Sequence, residues 1–273
     1  MTASALALAL GAAVLHAAWN VLLARARDVR AATTVALCLS IVLFAPVAAA
    51  TWRVEADALP WIALSSALEI LYFFLLTAAY SRSDVSLVYP VARGVAPVLV
   101  LVGASLAGAT LGAWQALGVV AVGAGVVLVR GVRGPVDTRG LLTAIAIAAT
   151  IAGYTLADKE GIEHASPVAY LALVLLPVAL AAVAWQLATA GRASVRSAIG
   201  AGTVAAAIFS FGAYALVLGA LSLAPAAAVA AVRETSILLA VALGAYLLRE
   251  PVGPVRVAGA ALVVAGVALV ALG

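Results

Sequence analysis

The chain has 273 residues, of which 67% are hydrophobic and 10% are charged, with a formal net charge of +4. A soluble domain has about 45–50% apolar and about 25% charged residues, so this chain lacks the polar surface that water would require. The composition excludes a soluble catalytic domain and predicts an all-α membrane protein. Its basic residues are typical of cytoplasmic loops, and no nucleic-acid partner is expected.

Charged and turn residues divide the apolar sequence into ten predicted transmembrane helices. They lie at residues 4–24, 31–51, 59–80, 86–107, 111–130, 140–158, 168–189, 198–221, 226–247 and 254–272. Each has about the 20 residues that cross a hydrocarbon core of roughly 30 Å. Two neighbouring pairs almost merge, and tight turns at Gly108 and Pro225 are expected to separate them.

The basic residues predict the orientation of these helices. The loops after the odd-numbered helices contain Arg25, Arg27, Arg30, Arg82, Arg130, Arg133, Arg139, Arg192, Arg196, Arg249 and Arg256. The other loops contain only Arg53 and Lys159. The positive-inside rule then places both termini on the outer side. We expect a multi-pass protein of the cell membrane, specifically a bacterial inner membrane.

An internal repeat divides the chain into two halves. Shifted by 141 residues, residues 79–129 lie over residues 220–270 without a gap, and the matching pairs include Gly103/Gly244, Gly112/Gly253, Gly118/Gly259 and Gly125/Gly266. We predict a first five-helix repeat at 1–130, a cytoplasmic linker at 131–139 and a second repeat at 140–273. Because five is odd, the second repeat enters the membrane from the opposite side. Such inverted repeats place a substrate site near the midplane.

Specific segments resemble a known family. The stretch Leu248–Gly253, followed by Gly259 and Gly266, is similar to the C-terminal pattern of EamA domains of the drug/metabolite transporter superfamily. His16–Asn20 and Leu87–Gly94 resemble a bacterial subgroup of that family. The resemblance covers essentially the whole chain and implies the fold and a role in transport, but no particular cargo.

Four ionisable residues lie well inside predicted spans: Glu69, Arg93, Arg233 and Glu234. Such groups cost several kcal/mol in lipid and usually face a cavity or a partner. The repeat places Arg93 opposite Glu234, near the midplane and on the axis between the halves. The set is either a group of buried ion pairs that fixes helix packing or a site for a zwitterion or organic ion.

Helix four combines several of these signals. Pro90, Gly94 and Pro97 flank Arg93 and predict a helix break that leaves carbonyl groups facing a cavity. Tyr89 adds a hydroxyl one turn before Arg93. A packing kink without ligand contact is the alternative.

Polar stripes on otherwise apolar helices mark the expected lumen. They comprise His16, Trp19 and Asn20 on helix one, Glu69, Tyr72 and Phe73 on helix three, Tyr154 and Thr155 on helix six, and Ser210 and Tyr214 on helix eight. Each is either a substrate contact or an inter-helix hydrogen bond. His16 is a proton-coupling candidate because imidazole titrates near neutral pH. Glu69 is the better candidate because no countercharge lies near it in the sequence.

Two further clusters receive structural interpretations. Gly118, Gly125, Gly259 and Gly266 form small-residue faces that join either the two halves or two protomers, so the protein is a monomer or a homodimer. Asp158, Lys159, Glu160, Glu163 and His164 are read as a solvated loop rather than a metal site. No metal and no cofactor is expected.

The sequence thus predicts a secondary transporter, expected to be an exporter, of a small zwitterionic or amphiphilic metabolite. It works by alternating access, with a proton as the possible coupling ion. The alternative is a lipid-linked flippase or accessory membrane subunit. The sequence has no paired nucleophile and base, no metal-ligand spacing and no nucleotide-binding loop, so we predict no enzyme activity.

Overall fold

The computed structural model describes residues 1–81, 85–130, 138–239, 242 and 253–272, and these residues are mostly helical. The helices are α1 (Ala3–Ala24), α2 (Val29–Ala50), α3 (Leu59–Ser81), α4 (Val85–Leu106), α5 (Ala113–Arg130), α6 (Thr138–Gly161), α7 (Pro167–Ser197), α8 (Ala201–Leu221), α9 (Ala226–Arg233) and α10 (Pro254–Leu272). A short 3-10 helix, Ala56–Ala58, precedes α3. The predicted all-α class therefore holds for this part of the chain.

Within the described residues, seven helices are long and apolar enough to cross a membrane: α1, α2, α3, α6, α7, α8 and α10. Shorter apolar stretches, Val91–Leu106 and Ala113–Val129, lie in α4 and α5. The predicted ninth span, 226–247, extends beyond the described residues. The protein is therefore a multi-pass membrane protein, and the count of ten spans stays a prediction.

The helix ends follow local chemistry. The Asp28 carboxylate caps α2 by accepting a hydrogen bond from Ala31 N at 2.9 Å, and this backbone N–H holds the pKa of Asp28 below its usual value. Gly108 has φ +89° between α4 and α5, a conformation that favours glycine. Pro225 is the N-cap of α9. Both predicted turns are confirmed.

Helices of the two halves interleave instead of forming separate bundles. α1 packs on α8 and α3 on α6, while α2 packs on α7 and α8. α4 contacts α6 and α9, and α5 packs along α10. Every one of these contacts joins one half to the other, so the centre of the molecule lies between the halves.

Contacts between loops show which helix ends lie on the same side. The loop before α3 forms an isolated antiparallel bridge, Val54 with Ala165, to the loop after α6. At another site, Ser194 Oγ near the end of α7 donates to Asp28 after α1 at 3.0 Å. The N-terminal amine donates to Ala271 O at 3.4 Å, so the two termini are neighbours.

Glycines make the contact between α5 and α10. A Cβ atom on Gly118 would lie 2.6 Å from Gly266 O, and one on Gly125 would lie 2.8 Å from Gly259 O. Backbones can approach this closely only where side chains are absent. Of the two roles considered for these glycines, the structure shows the first: the glycine seam joins the two halves.

The predicted helix break at Pro90, Gly94 and Pro97 is wrong. α4 is helical from Val85 to Leu106. Gly94 has a packing role, because a Cβ atom there would lie 2.6 Å from Gly123 O on α5. Proline inside a membrane helix is tolerated where neighbouring helices support the backbone.

The interruption lies instead in the second half, at the position equivalent to Arg93. α9 ends at Arg233, residues 234–235 form a turn, and residues 236–239 are helical again. The turn is tightened by hydrogen bonds from Glu234 N to Ala231 O (3.1 Å) and from Thr235 N to Val232 O (3.0 Å). The regular α-helix is therefore interrupted directly after Arg233, at the position of Glu234.

Replacing a seam glycine with alanine should destabilise the protein. In Gly118→Ala or Gly266→Ala the new methyl group meets a backbone carbonyl, and overpacking of this kind costs about 1–3 kcal/mol. Thermal unfolding in detergent should show a lower Tm for both variants. The control is Gly202→Ala on α8, where no atom lies within 4 Å of the added Cβ. An equal loss in the control would contradict the seam.

Candidate functional site

A cavity of about 210 Å³ lies between α1 to α4 and α6 to α9. Its polar and aromatic lining consists of His16, Trp19, Thr33, Ser40, Glu69, Tyr72, Phe73, Arg93, Tyr154, Ser210, Phe211, Tyr214 and Arg233. Both halves contribute to this wall. Most of the sequence-predicted site residues therefore meet at one place.

Arg93 and Glu234 form a buried ion pair. Arg93 Nε lies 3.1 Å from Glu234 Oε2, and the two side chains are 7% and 1% exposed. α4 contacts α9, which brings these residues together from the two halves as the repeat predicts. Glu234 does not line the cavity. It lies behind Arg93 and neutralises the charge that Arg93 brings into the membrane.

Arg233 supplies a second cation at the cavity wall. Its side chain lines the cavity and the residue is only 8% exposed. In the part of the chain that the structure describes, its Nε has no hydrogen-bond partner. A guanidinium group keeps its charge at all physiological pH values. Arg233 is therefore suited to receive an anionic group from a molecule in the cavity.

Glu69 supplies an acid to the same cavity. The Tyr214 hydroxyl lies 3.1 Å from Glu69 Oε1 and 2.5 Å from Asp158 Oδ2. One tyrosine hydroxyl from α8 thus lies between two carboxyl groups, one on α3 and one on α6. Arg233 interacts electrostatically with both acids.

The interpretation of Asp158 as part of a solvated loop is wrong. Asp158 lies inside α6 and is 1% exposed. Besides Tyr214, it accepts hydrogen bonds from Ser65 Oγ at 2.6 Å and from the Tyr170 hydroxyl at 3.1 Å. Helical spacing from Tyr154, which lies one turn earlier on α6, could have indicated this inward face.

The other residues of that charged cluster differ in their surroundings. Lys159 Nζ donates to Leu221 O at 2.7 Å, so this lysine is engaged at the end of α8. Glu160 and Glu163 are exposed, as a solvated loop implies. His164 Nδ1 lies 3.6 Å from Glu55 Oε2.

Aromatic rings line the cavity next to the charges. Tyr154 lies between Tyr72 and Tyr214, with ring centroids 6.3 Å away on each side. Trp19 packs edge-on against His16 at 5.1 Å. Aromatic faces attract cations by their ring quadrupole, so this wall accommodates an ammonium group as well as apolar surface.

Some predicted site residues lie elsewhere or are engaged. The Asn20 amide donates to His16 O at 2.7 Å within α1 and does not line the cavity. Thr155 donates to Ile151 O at 2.7 Å inside α6. Ser210 lines the cavity while its hydroxyl donates to Ala207 O at 3.2 Å. The side chain of Tyr89 is outside the described residues.

These features define a multi-pass membrane protein with a charged and aromatic cavity at its centre. Residues 138–272 match the EamA-like transporter family. This match, to a domain of the drug/metabolite transporter superfamily, confirms over residues 138–272 the recognition made from the sequence. The motif at 248–253 that suggested the family falls mostly outside the described residues, and so do residues 131–137 of the predicted linker.

Comparison with solved structures finds 27 matching chains. One crystal structure, described only as that of a protein, is similar with a TM-score of 0.81 at 16% sequence identity, covering 100% of this chain and 99% of that chain. At this identity the likeness shows the fold alone, and it extends over both halves. No curated protein matches the sequence.

Breaking the buried ion pair from one side should destabilise the protein. Arg93→Met leaves Glu234 buried without its partner, which costs about 3–5 kcal/mol. The double variant Arg93→Met/Glu234→Leu should regain most of that loss, because an apolar pair of similar volume needs no solvation. Thermal unfolding in detergent measures both effects.

The matched control is the exposed pair of Arg53 and Glu55, which are 3.8 Å apart with side chains 58% and 52% exposed. Arg53→Met should change stability by less than about 1 kcal/mol. If Arg93→Met is as stable as this control, the central pair contributes nothing to the fold.

Proposed function

We propose that the protein is a secondary transporter, working as an exporter, that moves a small zwitterionic or amphiphilic metabolite through the cavity between the two halves. The single observation on which this depends is the presence of a cation, Arg233, and an acid, Glu69, on the wall of one cavity. The EamA match over residues 138–272 supports transport as the activity.

The charges of the wall favour a zwitterion. Arg93 is neutralised by Glu234 behind it, which leaves Arg233 to bind a carboxylate or a phosphonate. Glu69 and the rings of Tyr72, Tyr154 and Trp19 suit an ammonium group. A ligand with an anionic group and an ammonium group would bind Arg233 with the first and Glu69 and the aromatic rings with the second. Charged hydrogen bonds of this kind contribute about 1.5–3 kcal/mol each.

The size of the cavity favours a small metabolite over a lipid-linked one. Its volume of about 210 Å³ lies below the roughly 300–1,000 Å³ of pockets that hold drug-sized ligands. A molecule the size of an amino acid or an aminophosphonate fits this space, whereas the flippase alternative needs room for a lipid tail.

We further propose that the protein is a ten-helix inverted repeat that works by alternating access. The helix packing supports this, because exchanging each helix with its repeat counterpart converts the contact of α1 with α8 into that of α6 with α3. The contact of α2 with α7 and that of α5 with α10 are each converted into themselves. Rocking of one half against the other around a central site is the mechanism expected for such a fold.

Ligand screening tests the proposed chemistry. Purified protein is heated with amino acids, phosphonates, simple amines or lipophilic cations at two pH values, and zwitterions should raise the Tm most. Arg233→Gln should weaken binding of the best zwitterion by about tenfold or more, since a charged hydrogen bond contributes at least about 1.5 kcal/mol. Flux into liposomes should fall in parallel.

The control variant is Arg53→Gln, which removes an exposed arginine in the loop between α2 and α3 and should leave binding and flux unchanged. Stabilisation by lipophilic cations or lipids alone would reject the zwitterion. Unchanged binding in Arg233→Gln would reject Arg233 as the anion site.

A further inference from the structure

The carboxyl groups of Glu69 and Asp158 share one hydroxyl. Tyr214 has a single O–H hydrogen, yet its oxygen lies within hydrogen-bond distance of both acids, 3.1 Å from Glu69 and 2.5 Å from Asp158. An ionised carboxylate only accepts hydrogen bonds. With both acids ionised, one of these two contacts would have no hydrogen between its oxygens. Both contacts are satisfied only when one of the two acids carries a proton.

The surroundings decide which acid is the anion. Asp158 receives hydroxyl hydrogens from Ser65 at 2.6 Å and Tyr170 at 3.1 Å in addition to Tyr214. Three donors suit a carboxylate, which accepts and never donates. Asp158 is 1% exposed and does not line the cavity, so it is the fixed member of the pair.

Glu69 is the member that can exchange a proton. It lines the cavity, and its hydrogen bond in the described part of the chain is the long one to Tyr214. A protonated Glu69 can donate to the Tyr214 oxygen while Tyr214 donates to Asp158. The two hydrogen bonds then point in the same direction, from Glu69 at the cavity through Tyr214 to the buried Asp158.

We propose that Glu69, Tyr214 and Asp158 form a two-carboxyl unit that holds one exchangeable proton, with Asp158 as the fixed anion and Glu69 as the carrier. This proposal rests on the proposed function, and it supplies the coupling ion for that transport. Release of the proton into the cavity leaves two carboxylates beside one hydroxyl hydrogen. The cation that can compensate is Arg233 or the ammonium group of a substrate.

The charged and titratable groups around Glu69 come from every packed helix. They are His16 on α1, Arg93 on α4, Tyr154 and Asp158 on α6, Tyr170 on α7, Tyr214 on α8, and Arg233 and Glu234 at the end of α9. Arg93 is committed to Glu234, and Arg233 stays charged. Of the two remaining proton-exchanging groups at the cavity, His16 and Glu69, Glu69 is the one hydrogen-bonded to Tyr214 and through it connected to Asp158.

The contact distances favour a proton over a metal ion. The oxygens of Ser65, Tyr170 and Tyr214 touch those of Asp158 directly, at 2.5–3.1 Å. These are the O–H···O separations of hydrogen bonds. A cation would have to sit between the oxygens, each about 2.3–2.6 Å from it in the case of calcium, and so would push them further apart.

Infrared spectroscopy of the full chain in lipid bilayers tests this without any substrate. At neutral pH the wild type should show the band of one protonated carboxyl group, which shifts in heavy water. Glu69→Gln should lose this band. Asp158→Asn should lose it too, because the new amide donates to the Tyr214 oxygen and frees the tyrosine hydrogen for an ionised Glu69. Glu163→Gln, an exposed control, should keep it.

Tyr214→Phe provides a second measurement if Asp158→Asn fails to fold. It retains both acids, and the band should change frequency because the proton loses its acceptor. A band that survives Glu69→Gln, a band unmoved by Tyr214→Phe, or two ionised carboxylates whose bands respond to sodium would each overturn the proposal. Since no substrate is present, such a result leaves the Arg233 binding test unaffected.

Discussion

A charged side chain inside a membrane span must find its countercharge within the protein, because lipid does not solvate it. The central helices satisfy this requirement for two cations and three acids: Arg93, Arg233, Glu69, Asp158 and Glu234. One pair closes on itself at 3.1 Å, and three hydroxyl groups surround Asp158. What is left over, Arg233 and Glu69, faces the cavity. The charged groups that the fold leaves without a closed ion pair are therefore the same groups that are available to bind a ligand in the cavity.

The apolar periphery of the fold has a different task. α5 and α10 meet through glycines so closely that a methyl group would collide with a backbone carbonyl. This contact gains dispersion energy along two helix backbones without any polar group. It joins the halves outside the cavity, whose lining residues come from the other helices.

Much of this arrangement could be predicted from the sequence, and what could not has a physical cause. Apolar runs define the helices, and the repeat register places Arg93 opposite Glu234. Asp158 was missed because it begins a run of charged residues, Asp158-Lys159-Glu160, at a helix end. Composition alone does not say which member of such a run turns inward. The break was assigned to α4 because prolines loosen a helix locally, yet packing of Gly94 on Gly123 supports α4.

Under the proposed repeat, the scaffold is duplicated but the chemistry is not. The shift of 141 residues places Glu69 over Ser210 and Phe73 over Tyr214. The acid and the hydroxyl of the two-carboxyl unit therefore have counterparts that lack those groups. Arg93 and Glu234, in contrast, occupy equivalent positions and bind each other across the axis. If the two halves rock against each other, the carboxyl of Glu69 would thus line the cavity both when it opens to one side of the membrane and when it opens to the other. A proton and a cationic group would meet the same carboxyl from either side of the membrane, as exchange between them requires.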